Sequence, residues 1–136
     1  MNLSDLITRV RSYTRDTTGT LFTASDIKDF INEGIDRYKQ INEFKNMKSL
    51  SSDADEPTLL PPQYHYSLAL YSASRCFSQD EQHYLAQTYM EEYEVLYNLI
   101  QILMRDGSLT IKDDEGNVVS NDVDFDNVTN VYFGRY

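Results

Sequence analysis

The chain has 136 residues, with 12 Lys and Arg against 22 Asp and Glu, for a formal net charge of −10. That is the length of one domain with a core of its own, and the charge excludes a free-standing nucleic-acid binder, which needs surplus cations to hold phosphates. One cysteine, Cys76, excludes a disulfide framework or an intrachain cysteine metal cluster, and short apolar runs with no cleavable apolar leader make a membrane span or secretion signal unexpected, so folding in cytoplasm is expected.

Leu3, Leu6, Ile7 and Val10 recur at three- and four-residue spacing, which predicts an amphipathic helix over residues 3–15. Gly19 breaks it. Thr23, followed three residues later by Asp26, has the form of a capping box. The helix it opens has a clean stripe of Ile27, Phe30, Ile31, Gly34, Ile35, Tyr38 and Ile41, with Lys28, Asp29, Glu33 and Asp36 on the opposite side. Residues 51–62, SSDADEPTLLPP, hold all three prolines among acids and small polar residues and predict a long loop.

Pro61 and Pro62 suit the start of a third helix, over residues 63–77, with Tyr64, Leu68, Tyr71 or Ser72, and Cys76 on its apolar side. Ala69, Ala73 and Ser74 allow a neighbour close. Ser78 or Asp80 is expected to cap a fourth helix over residues 80–105. That helix carries two apolar stripes: Leu85, Tyr89, Leu96, Ile100 and Leu103, and beside them Ala86, Met90, Tyr93, Tyr97 and Met104. Two stripes require two covering neighbours, and Tyr93 and Tyr97 are assigned to a helix-facing or subunit interface.

Gly107 ends the periodicity. Thr110 to Lys112 and Asn117 to Val119, around Asp113-Asp114-Glu115-Gly116, predict a small β-hairpin. The remainder, SNDVDFDNVTNVYFGRY, alternates polar and apolar residues without helical period and predicts an extended arm. Val123, Phe125, Val131, Tyr132, Phe133 and Tyr136 are its expected docking residues. The expected fold is therefore mostly α: a bundle of about four helices over residues 1–106, followed by the hairpin and C-terminal arm over 107–136.

Chemistry is sparse. His65 and His83, the only histidines, fall on different helices, and neither stands beside a Ser or Cys in a nucleophilic arrangement; both are expected to be solvated, not metal ligands. Asp122, Asp124 and Asp126 are spaced like the start of a calcium loop, but Asn127 stands where such a loop needs glycine and Phe133 where it needs glutamate. The Glu91, Glu92 and Glu94 cluster reads as a solvated face. No enzyme activity, metal or cofactor is expected. Eleven tyrosines without tryptophan suit surfaces that are wet in one state and covered in another, or equally ordinary core edges.

In order, these segments are a short helix ending at Arg15-Asp16, the helix DIKDFINEGIDRYKQI with its Phe30-Ile31-Asn32-Glu33 turn, a loop closing in LLPPQYHYSLALYSASRCF, and DEQHYLAQTYMEEYEVLYNLI. Over roughly residues 3–103 this pattern resembles the head-to-tail adaptor, or connector, proteins of tailed bacteriophages. The resemblance implies a helical bundle in the virion neck, assembled as a dodecameric ring beneath the portal protein and carrying a downstream tail or neck protein. It also implies a C-terminal segment that engages the portal or a neighbouring subunit. Genomic DNA would pass through the ring without specific binding, which a net negative wall favours because it repels phosphates. The alternative from another class is a cytoplasmic helical regulator or chaperone with a single protein partner.

Overall fold

The structure, a computed structural model, describes residues 1–112 and Val118. Four helices make up most of it: α1 (Leu3–Thr14), α2 (Ala24–Tyr38), α3 (Tyr66–Gln79) and α4 (His83–Arg105), with short 3-10 turns at Asn42–Phe44 and Pro62–Tyr64. Both expected helix starts are capped by reciprocal bonds, Asn2 with Asp5 and Thr23 with Asp26. Each pair satisfies backbone N–H groups that no helical carbonyl reaches.

Asp16 makes the turn from α1 to α2. Its carboxylate accepts from the backbone N–H of Thr20 at 3.0 Å and of Phe22 at 3.0 Å, while the Leu21 N–H lies 3.2 Å away. Arg11 reaches the same carboxylate at 3.4 Å and donates to the Phe22 carbonyl at 3.0 Å. Gly19, at φ 72°, lies so close that a Cβ there would come within 3.2 Å of the Arg11 guanidinium. The positive φ is what calls for glycine here, and the Arg11 guanidinium leaves little spare room beside it.

The α2 stripe is the core face: Ile27, Phe30, Ile31, Gly34, Ile35 and Tyr38 are all buried. The helix stops at Tyr38, and Ile41 leads into the first 3-10 turn, still buried. The loop from there to α3 is pinned at two points. Asn32 holds Leu50 by both backbone groups, accepting from its N–H at 2.8 Å and donating to its carbonyl at 3.0 Å. The first turn of α1 donates from Leu3 and Ser4 to the carbonyls of Asp55 and Asp53. Asp55 shapes this bend by accepting from the N–H and hydroxyl groups of Ser51 and Ser52.

α3 is the hub and packs against α1, α2 and α4. From Ser67 to Phe77 every residue except Arg75 is buried, so the single apolar side expected of it is in fact a helix covered all round. It packs tightly on α2 at Gly34, where a Cβ would meet Leu68 and Tyr71 at 3.2 Å. α4 begins at His83, not near residue 80. Asp80 closes α3, Glu81 turns the chain at φ 58°, and Gln82 starts α4 without a side-chain cap.

Past α4, Gly107 at φ 83° redirects the chain, and Leu109 and Ile111 return to the core, Ile111 fully enclosed. Of the expected hairpin, the described residues contain one antiparallel bridge, Lys112 to Val118, and no strand. Its turn, 113–117, and the arm, 119–136, lie outside the described residues.

Gly34→Ala tests the α2–α3 approach. Alanine is the better helix former by about 1 kcal/mol, but Tyr71 is held by Glu33 and Tyr93 and yields little. Overpacking of about 1–3 kcal/mol should prevail, and urea unfolding should show a net loss of stability.

Candidate functional site

α4 presents three kinds of surface. Ala86, Tyr93 and Ile100, seven residues apart, form its buried seam, flanked by half-buried Tyr89, Met90, Leu96, Tyr97 and Met104. The two stripes read from the sequence are therefore two edges of one face. Apolar character then continues round the helix through half-buried Leu96 and Leu103 to Leu99, Val95 and Ile102, which are 39%, 66% and 54% exposed. Residues 95, 99 and 102 stand at i, i+4 and i+7 and so share one side. Exposed Tyr84 lies on that side near the start of the helix, and exposed Glu91 and Glu92 flank it, while Glu94 turns toward Arg37 of α2. At the far end a cavity of about 210 Å³ is lined by Met104, Leu109, Ile111 and Val118, among others.

Of the two interfaces expected for Tyr93, this packing gives the helix-facing one and leaves no surface of Tyr93 for another subunit. Tyr93 has no exposed surface; its ring lies edge-on to Tyr71 at 5.1 Å and to Tyr38 at 5.8 Å, inside the chain's own core. Tyr97 is half-buried, stacks at a tilt on Tyr38 and donates its hydroxyl to the Arg37 carbonyl at 3.1 Å. The Arg37 guanidinium stands over this group, 5.2 Å from the Tyr93 ring and 5.4 Å from that of Tyr97, and reaches Glu94 at 3.3 Å. A cation over aromatic faces, partly shielded from water, holds α2 to α4. The other assigned residues, Val123, Phe125, Val131, Tyr132, Phe133 and Tyr136, and the carboxylates Asp122, Asp124 and Asp126, lie outside the described residues.

His65 is not solvated but buried. It faces the Leu60 carbonyl through Nε2 at 2.7 Å and the Met1 ammonium through Nδ1 at 3.0 Å. A neutral ring donating from Nε2 and accepting at Nδ1 satisfies both contacts. Burial holds its pKa below the usual value, with the ammonium adding to the effect. Beside it an open groove of about 700 Å³ is lined by Lys48, Asp55, Glu56, Pro57 and other residues of the long loop. Among the described residues no three His, Cys, Asp or Glu side chains gather as metal ligands. No helix there is long and apolar enough to cross a membrane.

The ionisable groups with shifted pKa values are tuned for structure. Burial alone would raise Asp16, but the N–H groups of Phe22, Leu21 and Thr20 hold it below the usual carboxylate range. Bonds from Ser52 and Ser51 lower Asp55, and bonds from Ser108 lower Asp106. A general acid at neutral pH needs the opposite shift. Burial pushes the Cys76 thiol up to about 12, which removes the thiolate a nucleophile requires. Among the described residues the surface feature that stands out is the apolar stripe of α4, with Glu91 and Glu92 beside it. Sequence reading passed over it because Val95, Leu99 and Ile102 fell outside the two stripes singled out, although their i, i+4, i+7 spacing was the available signal.

Two outcomes follow. The Tyr93 hydroxyl is buried without a hydrogen-bond partner among the described residues, whereas that of Tyr97 is bonded. Tyr93→Phe should therefore hold or raise stability, and Tyr97→Phe should lose about 1 kcal/mol, both measured by denaturant unfolding. For His65, a folded-state pKa below 6.5 leaves stability complete above that pH. As pH falls through 6.5 the unfolded chain takes up a proton that the folded chain refuses, so stability drops. Melting temperature should fall between pH 7 and pH 5, and His65→Gln should flatten that slope.

Comparison with protein-family models, with curated proteins and with solved structures finds no match to this chain.

Proposed function

We propose that the chain is a virion structural protein, a head-to-tail adaptor that forms a dodecameric ring beneath the portal of a tailed bacteriophage. In this reading it lengthens the DNA channel and offers a platform to a downstream tail or neck protein. The observation that carries the proposal is the exposed apolar stripe Val95, Leu99 and Ile102 along one side of α4. A contiguous apolar strip beside charged residues is a protein-binding feature, and in a ring each copy would cover the strip of the next. Two further features support it. The net charge of −10 suits a wall past which DNA must slide without sticking. The order of the capped FINE helix, the LLPPQY turn and the tyrosine-rich fourth helix resembles the adaptor family.

The residues after α4 supply the finer part of the proposal. A hairpin over 110–119 would lead into an arm whose Val123, Phe125, Val131, Tyr132, Phe133 and Tyr136 dock on the portal. Extended segments bind by adding to a sheet edge or lying in a groove, with aromatic side chains as anchors.

The test is native mass spectrometry and electron microscopy of the chain mixed with the portal ring encoded in the same genome. Twelve copies seated as a collar on the portal are expected, and Phe125→Ser with Tyr132→Ser should abolish the complex without changing helical circular dichroism. A discrete one-to-one complex with a soluble partner, and no binding to the portal, would replace the adaptor with the regulator or chaperone reading.

A further inference from the structure

The described chain ends near the C-terminal end of α4, on the Met104 side of the helix. Val118 lines the cavity at the C-terminal end of α4, together with Met104 and Gly107, one turn beyond Ile102. Eighteen residues follow it, and they include Val123, Phe125, Val128, Val131, Tyr132 and Phe133. Fully extended, they reach roughly 60 Å, against roughly 35 Å for the 23 residues of α4. Every point of the stripe is within reach of the same chain.

We propose that residues 123–133 fold back along the α4 of their own chain and cover Val95, Leu99 and Ile102 until a partner displaces them. The charge pattern favours this direction. Between Val95 and Met104 the only strongly polar side chains apart from the Tyr97 hydroxyl are the uncharged Asn98 and Gln101, so nothing on this stretch repels Asp122, Asp124 and Asp126. Farther back along α4 stand exposed Glu91 and Glu92. A segment running back from the C-terminal end of α4 therefore lays its first apolar residues on the uncharged stripe before it meets a carboxylate. Intramolecular tethering supplies an effective concentration that a second copy must match, and a copy of charge −10 is repelled by another. Docked in this way, the strip and the arm hide each other, so neither is offered to a stray partner. This inference concerns the isolated chain and does not require that the chain bind a portal.

Maleimide labelling of a full-length Leu99→Cys variant reads the covering directly, because Cys76 is buried with its thiol pKa raised and stays silent. The expected rate is slower by about tenfold or more than in a second full-length protein carrying Leu99→Cys together with Val123→Ser, Phe125→Ser, Tyr132→Ser and Phe133→Ser. It should not change with protein concentration. Ile102→Cys in the same two backgrounds provides an independent reading. Equal rates in both backgrounds would overturn the proposal. So would protection that grows with concentration, since the occupant would then come from a second copy.

Discussion

A helix buried on every side must find an internal partner for each polar side chain it carries, and α3 meets that constraint with serine. Ser67 donates to the Tyr64 carbonyl and shares a 2.7 Å bond with the Tyr38 hydroxyl. Ser72 donates to the carbonyl of Ile27 on α2, and Ser74 to that of Ala86 on α4. Each bond fixes a neighbour while it satisfies the hydroxyl, and leaving a buried group unmade costs more than a typical made bond contributes. Small side chains at Ala69 and Ala73, with Gly34 opposite, bring the helix axes close enough for these short hydroxyls to reach. Arg75, the one half-exposed residue in the run, pairs with Glu33 at 3.1 Å and lies over Phe30.

Around this hub the aromatic residues form two groups instead of one evenly filled core. Tyr38, Phe44, Tyr71, Tyr93 and Tyr97 join the end of α2 to the middle of α3 and α4. Tyr13, Phe77 and Tyr89 close the opposite end, with Tyr89 stacked on Phe77 at 5.4 Å and tilted on Tyr13 at 5.3 Å. Tyrosine suits the first group because the hydroxyls of Tyr38, Tyr71 and Tyr97 find Ser67, Glu33 and a backbone carbonyl. The abundance of tyrosine is mainly a property of helix packing; Tyr84 alone among the described tyrosines stands well exposed.

Local signals were legible in the sequence and orientations were not. The cap at Thr23 and the α2 stripe depend on spacing within one helix, which sequence displays. The surroundings of α3 do not: Ser74 read only as a small residue allowing close approach, because the partner that its hydroxyl finds lies on α4. α4 misled for a related reason. Apolar residues occupy most of its circumference, so periodicity leaves its rotation open, and the core took the Ala86, Tyr93, Ile100 line and left Val95 outside. His65 was misplaced because its burial depends on Met1 and Leu60, one far away in sequence and the other in a proline-rich loop.

The Asp16 turn has a consequence for backbone dynamics. The amides of Thr20, Leu21 and Phe22 lie outside any helix, yet they end on one carboxylate that Arg11 also holds. Their solvent hydrogen exchange should therefore be slow and share a common opening event, because releasing Asp16 frees all three together. A stretch without regular secondary structure would then appear as protected as a helical turn and would exchange as one cooperative unit.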